Sequence, residues 1–303
     1  MNYLYYPGCS LKSSGRPYEE SIRAVFKALD LGLTEIEDWN CCGATAYMAV
    51  NELKAYALAS RNLALAEKQG TAADPKARPE VVAPCAACYL VLTKAQHYLS
   101  ETNGNAQKIR EALKAGNLKY KGKVKVRHPL DIFVNSIGLE RIKAQVKRPL
   151  EGMRVACYYG CQIVRPYATF DDQMNPRTMD RLVEALGGEP VDWPLKTRCC
   201  GGSLTGTIEE VGLRLSYILL REAKKRGADV LITACPLCQF NLECYQDRMS
   251  KMFEEPVELP VAFFTQLMGM AFGLPDEDLG LQRLFVPLRP ALAAQEGGQH
   301  VHA

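Results

Sequence analysis

The sequence has no unbroken run of 18 apolar residues, so nothing in it reads as a membrane-spanning helix. Its longest candidate, "VAFFTQLMGMAFGLP", is interrupted by Thr265 and Gln266 and is expected to form a buried or partner-facing helix. An excess of charge is missing too: 37 basic against 34 acidic residues leave +3, which gives no ground for a nucleic-acid partner. No basic start and no apolar signal core precede "YYPGC" near Met1, so the expected location is cytoplasmic. Histidine is scarce, at four residues, and two of them, His300 and His302, lie in the tail "AAQEGGQHVHA". That tail lacks periodicity, so residues 291–303 are expected to be disordered and its histidines are not read as a metal pair. In "LKYKGKVKVRHP" basic residues alternate, which predicts a charged face on a short edge strand.

Cysteine, by contrast, is abundant, with 12 in 303 residues. A reducing compartment disfavours a disulfide framework, and a chain of this length does not need one, which leaves metal binding or catalysis. Two stretches stand out: "DWNCCGATAYM", with Cys41 and Cys42 before Gly43, and "DWPLKTRCCGGSLTG", with Cys199 and Cys200 before Gly201. They contain the only two tryptophans, Trp39 and Trp193, each after an aspartate.

The halves of the chain repeat one another. "NYLYYPGCS" ends an apolar strand-like run at Cys9, and "MRVACYYGCQ" ends one at Cys161. Helical stretches closed by glycine follow, "YEESIRAVFKALDLG" and "RTMDRLVEALGG". After each vicinal pair comes a long helix ending at Gly70 or Gly227, then a strand running into C-x-x-C: "EVVAPCAAC", with Cys85 and Cys88, and "DVLITACPLC", with Cys235 and Cys238. This order predicts an α/β fold of two similar, pseudo-repeated domains, each a small, mainly parallel sheet flanked by helices. The polar join "KRPLEG" puts the bounds at 1–148 and 149–290. The cysteines then fall at C-terminal strand ends, the edge where open α/β sheets build sites.

Each half supplies five thiols, and Cys157 and Cys244, without counterparts, read as small buried hydrophobes. A redox dithiol would use two of the five. Structural zinc takes four, so zinc in both halves, or in one half beside a cluster in the other, leaves a thiol over. Iron–sulfur clusters use the same donors, and the glycine after each pair would let the backbone pass close to inorganic sulfide. Spacing and count reach two polythiolate metal sites and do not choose the geometry.

The doubled order of leading cysteine, CCG and C-x-x-C, with "YYPGC" at the start, resembles the cysteine-rich CCG-domain family, that of the B subunit of heterodisulfide reductase and its relatives, over nearly the whole chain. The resemblance implies two noncubane [4Fe-4S] clusters. One would be held by Cys9, Cys41, Cys42, Cys85 and Cys88, the other by Cys161, Cys199, Cys200, Cys235 and Cys238. It further implies reductive cleavage of a disulfide by an oxidoreductase chain. The partners it implies are a ferredoxin like that enzyme's C subunit, with cubane clusters, and a flavoprotein like its A subunit. Substrates would be a small thiol, a disulfide or a sulfur-carrier protein. A role in a sulfur-oxidising complex and a non-catalytic electron relay are the alternatives. Lys12, Arg16 and Arg165, near the leading cysteines, are candidates to meet an anionic substrate, with solvated surface charge as the plainer expectation. Tyr5, Tyr6, Tyr158 and Tyr159 are read as pocket walls or strand packing. His128 is expected to be structural, with proton donation to a departing thiolate as the alternative.

Overall fold

The computed structural model describes residues 1–288, apart from 45, 74, 75, 77, 102 and 103. The expected disordered tail, with His300 and His302, lies outside the described residues. Two sheets form, and every pairing in both is parallel, as crossover helices require. The first contains β1 (Asn2–Tyr5), β2 (Gly32–Glu35), β3 (Glu80–Val82) and β4 (Lys125–Arg127) in the order β2-β1-β3-β4. The second contains β5 (Arg154–Tyr158), β6 (Glu189–Pro190), β7 (Val230–Thr233) and β8 (Val261–Phe263) in the order β6-β5-β7-β8. The repeat read from the cysteines is therefore a repeat of topology.

Strand order explains where the thiols gather. The chain leaves β1 to one side for β2 and returns on the other side as β3, so the order reverses between β1 and β3, where open α/β sheets leave a crevice. Cys9 follows the end of β1 and Cys85 the end of β3. In the second sheet, β5 and β7 hold the same places before Cys161 and Cys235. Their register, Val155↔Val230 through Tyr158↔Thr233, brings the two strand ends level.

Compactness does not follow the order of the chain. One unit gathers Met1–Ser13 and Asp30–Pro129; the other gathers Ser14–Leu29 and the chain from Leu130 onward. The helix Arg16–Ala28, early in sequence, thus belongs with the second unit. Its amphipathic spacing puts Tyr18, Ile22, Val25 and Phe26 on one buried face. Tyr18 stacks on Phe263 with centroids 4.2 Å apart, and Phe26 meets Phe133 at 5.0 Å. Ser21 Oγ lies 2.7 Å from Thr265 Oγ1, and Arg283 forks onto the Glu20 carboxylate at 2.9–3.2 Å.

"VAFFTQLMGMAFGLP" divides into β8 and the buried helix Phe264–Ala271, and no described helix is long and apolar enough to cross a membrane. The alternating lysines form a strand only at Lys125–Arg127. Lys119, Lys121 and Lys123 instead line, with Lys68, a hollow of about 330 Å³, because the buried Glu67 carboxylate accepts the backbone N–H groups of Lys121 and Lys123, each at 2.6 Å. A buried acid that captures backbone donors outweighs strand propensity here.

In the second unit, Glu243 ties down the last described segment. Its carboxylate accepts Phe285 N at 2.8 Å and Val286 N at 3.4 Å, and the Gln239 amide. Burial pushes it up from 4.5 to about 7, against the lowering effect of those donors. Because the folded value lies above the unfolded one, the associated stability is present below pH 4.5 and lost as pH rises through about 7. Glu243→Gln should therefore flatten this part of the stability profile in urea melts, gaining roughly 2–3 kcal/mol over the parent at neutral pH relative to pH 4. An unchanged slope would mean that Glu243 titrates normally.

Candidate functional site

In each half, the five predicted cysteines form a chain of sulfur contacts in the same order. Cys9 Sγ lies 3.7 Å from Cys41 Sγ; Cys41 interacts with Cys42; Cys42 Sγ is 3.3 Å from Cys88 Sγ; and Cys88 reaches Cys85. The second half runs from Cys161 to Cys199, to Cys200, to Cys238 at 3.4 Å, and on to Cys235. Neither Cys157, fully buried on β5, nor the half-buried Cys244 joins a chain.

The local fold makes these chains. Gly8 and Gly160 adopt left-handed backbone, φ +70° and +68°, just before the leading cysteines. A Cβ on Gly8 would stand 2.9 Å from Cys88 Sγ, so hydrogen there is what lets the first leading loop lie against C-x-x-C; one on Gly160 would be in ordinary contact, 3.4 Å from Cys238 Sγ, and there the left-handed backbone is what favours glycine. The glycine after each vicinal pair has a reason beyond the one expected from sequence. Gly43 and Gly201 turn left-handed, φ +78° and +97°, and a Cβ would press on Ala55 Cα at 3.2 Å or Gly212 Cα at 3.0 Å. Their N–H groups donate to the first sulfur of each pair, Gly43 N to Cys41 Sγ at 3.5 Å and Gly201 N to Cys199 Sγ at 3.4 Å.

Hydrogen bonds from the neighbouring thiols, with these N–H groups behind them, set the charge within each chain. Cys42, then Cys9, and the Gly43 N–H all donate to Cys41 and hold its thiol well below the usual range. Cys161, then Cys200, and the Gly201 N–H do the same for Cys199. Donation to its neighbour, followed by burial, pushes the Cys9 and Cys161 thiols up. Each half thus contains one preferred thiolate, the form that binds metal.

The tyrosines before the leading cysteines have a role that neither sequence reading anticipated. Tyr6 Oη donates to the carbonyl of Asn40, just before Cys41, at 2.7 Å; Tyr158 Oη donates to that of Arg198, just before Cys199, also at 2.7 Å. Burial keeps both hydroxyls protonated. Beyond this shared post, the halves differ. In the first, the Asn62 side chain clamps Asn40, receiving its N–H at 2.9 Å and donating to its carbonyl at 2.8 Å. In the second, Ser216 and Asn241 hold the carbonyls of Cys200 and Gly202. Upstream of that loop, Lys196 and Asp180 form a buried ion pair at 2.5 Å, and Tyr159 donates to Asp180 at 2.7 Å.

Other candidates are engaged in structure. Lys12 pairs with Glu35 and Arg16 with Glu20, while Arg165 reaches Thr197 Oγ1 at 2.5 Å and the Gln173 carbonyl at 3.2 Å. His128 is fully buried with Nε2 2.9 Å from the Pro84 carbonyl, so that nitrogen donates, and the ring anchors the approach to Cys85.

Among the described residues, no group of three or more His, Cys, Asp or Glu is arranged to hold a single metal ion. The sulfurs run as chains rather than surrounding one point. Five soft donors exceed the four of a structural zinc site and suit a larger thiolate-bound group, so the donor set fits an iron–sulfur cluster.

Comparison with known proteins agrees with the doubled pattern. The profile "Cysteine-rich domain", CCG, matches residues 3–93 and 155–243. The 8-methylmenaquinol:fumarate reductase membrane anchor subunit of Wolinella succinogenes is 33% identical over 92% of this chain and 95% of its own. A protein of Archaeoglobus profundus named as like the B subunit of heterodisulfide reductase is 28% identical over 91% and 92%. The B subunit of a ferredoxin/F(420)H(2)-dependent CoB-CoM heterodisulfide reductase of Methanosarcina acetivorans is 26% identical over 91% of both. A hypothetical protein from Helicobacter pylori superposes with a TM-score of 0.74 at 15% identity, covering 94% of this chain and 52% of that one, which speaks to fold alone.

Proposed function

The chain belongs to the cysteine-rich CCG-domain family, and from that premise we propose that it is an iron–sulfur oxidoreductase component of the heterodisulfide reductase B kind, working on a disulfide or thiol. Residues 1–148 would supply one site and 149–290 the other. Cys9, Cys41, Cys42, Cys85 and Cys88 would hold the first [4Fe-4S] cluster, and Cys161, Cys199, Cys200, Cys235 and Cys238 the second, both noncubane. The observation that carries this reading is the same ordered chain of five sulfurs at the reversal point of each sheet.

When bound, two such clusters supply the two electrons that cleave a disulfide; with two protons, one S–S bond becomes two thiols. The chain's own residues do the rest. Gly8 leaves room for the first leading loop and Gly160 supplies the left-handed turn of the second, Tyr6 and Tyr158 set the position of the vicinal pairs, and donation from Cys42, Cys9 and Gly43 in one half and from Cys161, Cys200 and Gly201 in the other favours thiolate at Cys41 and Cys199. A ferredoxin of the C-subunit kind and a flavoprotein of the A-subunit kind are the partners in this cytoplasmic reading, and a sulfur-carrier protein is the larger substrate it would accept.

The relative at 33% identity favours a second reading, in which the same two sites exchange electrons with a quinol at a membrane surface. One experiment tests both: iron, acid-labile sulfide and zinc per chain in protein purified without oxygen, followed by paramagnetic resonance after oxidation, with a thiol or a quinol added. About eight irons and eight sulfides, with a signal changed by thiol, support disulfide chemistry. A signal changed only by quinol supports the second reading. About two zincs without sulfide overturn both and leave a structural module.

A further inference from the structure

One helical turn beyond C-x-x-C the two sites stop matching. Three residues after Cys238 stands Asn241, fully buried; three after Cys88 stands Val91, also buried. The Asn241 Nδ2 donates to the Gly202 carbonyl at 2.7 Å and lies 3.5 Å from the Cys200 carbonyl and 3.6 Å from Cys200 Sγ. A carbonyl only accepts, so the edge of the amide facing Cys200 is its nitrogen. Thr205 Oγ1 holds the other edge by donating to Asn241 Oδ1 at 3.0 Å, and Ser216 Oγ holds the Cys200 carbonyl at 2.9 Å. One N–H is taken by Gly202, and the second is directed at Cys200.

Other contacts beside the vicinal pairs match between the halves. Gly43 N to Cys41 and Gly201 N to Cys199 are nearly equal, at 3.5 and 3.4 Å. The tyrosine posts are equal at 2.7 Å. The Lys196–Asp180 pair adds no net charge to the second site. The amide at 241 against the isopropyl group at 91 is thus an unmatched polar difference beside the vicinal pairs.

Resting on the reading above, in which Cys200 is a cluster ligand, we propose that Asn241 is a positioning residue that makes the second-half site the first of the two to accept an electron. Reduction adds one negative charge, part of which falls on the ligating sulfurs. An N–H fixed toward Cys200 Sγ stabilises that charge more than it stabilises the oxidised state, and hydrogen bonds to sulfur are among the determinants of cluster potential. Val91 offers no donor. Electrons entering the pair would then collect in the second half before the first is reduced.

The test is a potentiometric titration of the full chain under anaerobic conditions, followed by paramagnetic resonance. The Cys42→Ser chain serves to identify which signal belongs to the second half. Asn241→Val should lower the reduction equilibrium of that signal about tenfold, ~59 mV for one electron, and leave the other unchanged. Val91→Asn should shift the first-half signal upward and bring the two together. Full iron in both variants with neither signal moved overturns the proposal. If Asn241→Val loses iron from the second half, Thr205→Val, which frees only the amide oxygen, and Val91→Asn decide: a downward shift in one and an upward shift in the other support it, and no shift in either overturns it. Wild-type chain without iron or sulfide overturns the premise itself, an outcome distinguishable from iron-loaded sites that ignore residue 241.

Discussion

A Cys200→Ser chain purified without oxygen should carry about four irons and four sulfides instead of about eight of each, with the first-half resonance signal intact. Cys200 is an inner link of its sulfur chain, buried between Cys199 and Cys238. Serine keeps the shape but replaces a soft thiolate with a hard hydroxyl that is protonated at neutral pH. Cys42→Ser should mirror it, emptying the first half and sparing the second. Cys157→Ser and Cys244→Ser, outside both chains, should keep the full iron count. Equal loss from both halves in either inner-link variant would show that the sites do not assemble independently.

Lys196→Met should cost about 3–5 kcal/mol of stability, read as a lower urea midpoint for the second unit. Lys196 and Asp180 are 6% and 3% exposed, so removing the ammonium strands a carboxylate away from water, with Tyr159 as its remaining side-chain donor. The double variant Lys196→Met, Asp180→Leu should recover much of the loss, because the penalty comes from the unpaired charge rather than from the value of the pair. The backbone carbonyl of Lys196 also receives Tyr159 N and Gly160 N, at 2.9 and 3.0 Å. Loosening this loop should speed chelator removal of iron from the second half relative to the first. A single variant as stable as the parent would mean that water reaches Asp180.

The sequence was most informative where chemistry depends on residue type and spacing. Thiols in a doubled order, apolar runs before them and glycine-ended helices were enough to predict two parallel sheets with cysteines at their strand ends. Strand β2, with the alternation Leu33 and Glu35 but exposed and half-exposed residues throughout, carried too weak an apolar signal to be placed. The lysine-rich stretch misled because Glu67, more than fifty residues away, claims its backbone donors. Asn62 and Asn241 escaped notice for a related reason: one polar residue among several on a helix shows its purpose only when its distant acceptors, Asn40 and Gly202, are brought beside it. The assignment of Arg16–Ala28 to the second unit was likewise beyond local pattern, since an amphipathic face does not name its partner.

That helix sets a timetable for the newly made chain. Ser21 and Thr265 are 244 residues apart, and Phe263 and Arg283 come equally late. At a synthesis rate of about 5–20 residues per second, Tyr18 and Ser21 wait roughly 12–50 s for Phe263 and Thr265 to be made, whereas Phe133, the partner of Phe26, comes earlier. During that interval the early helix presents part of an apolar face that only the last stretch covers, so the second unit cannot finish folding until its end is made, and a ribosome that stalls before β8 leaves that part of the face open to aggregation or to a chaperone.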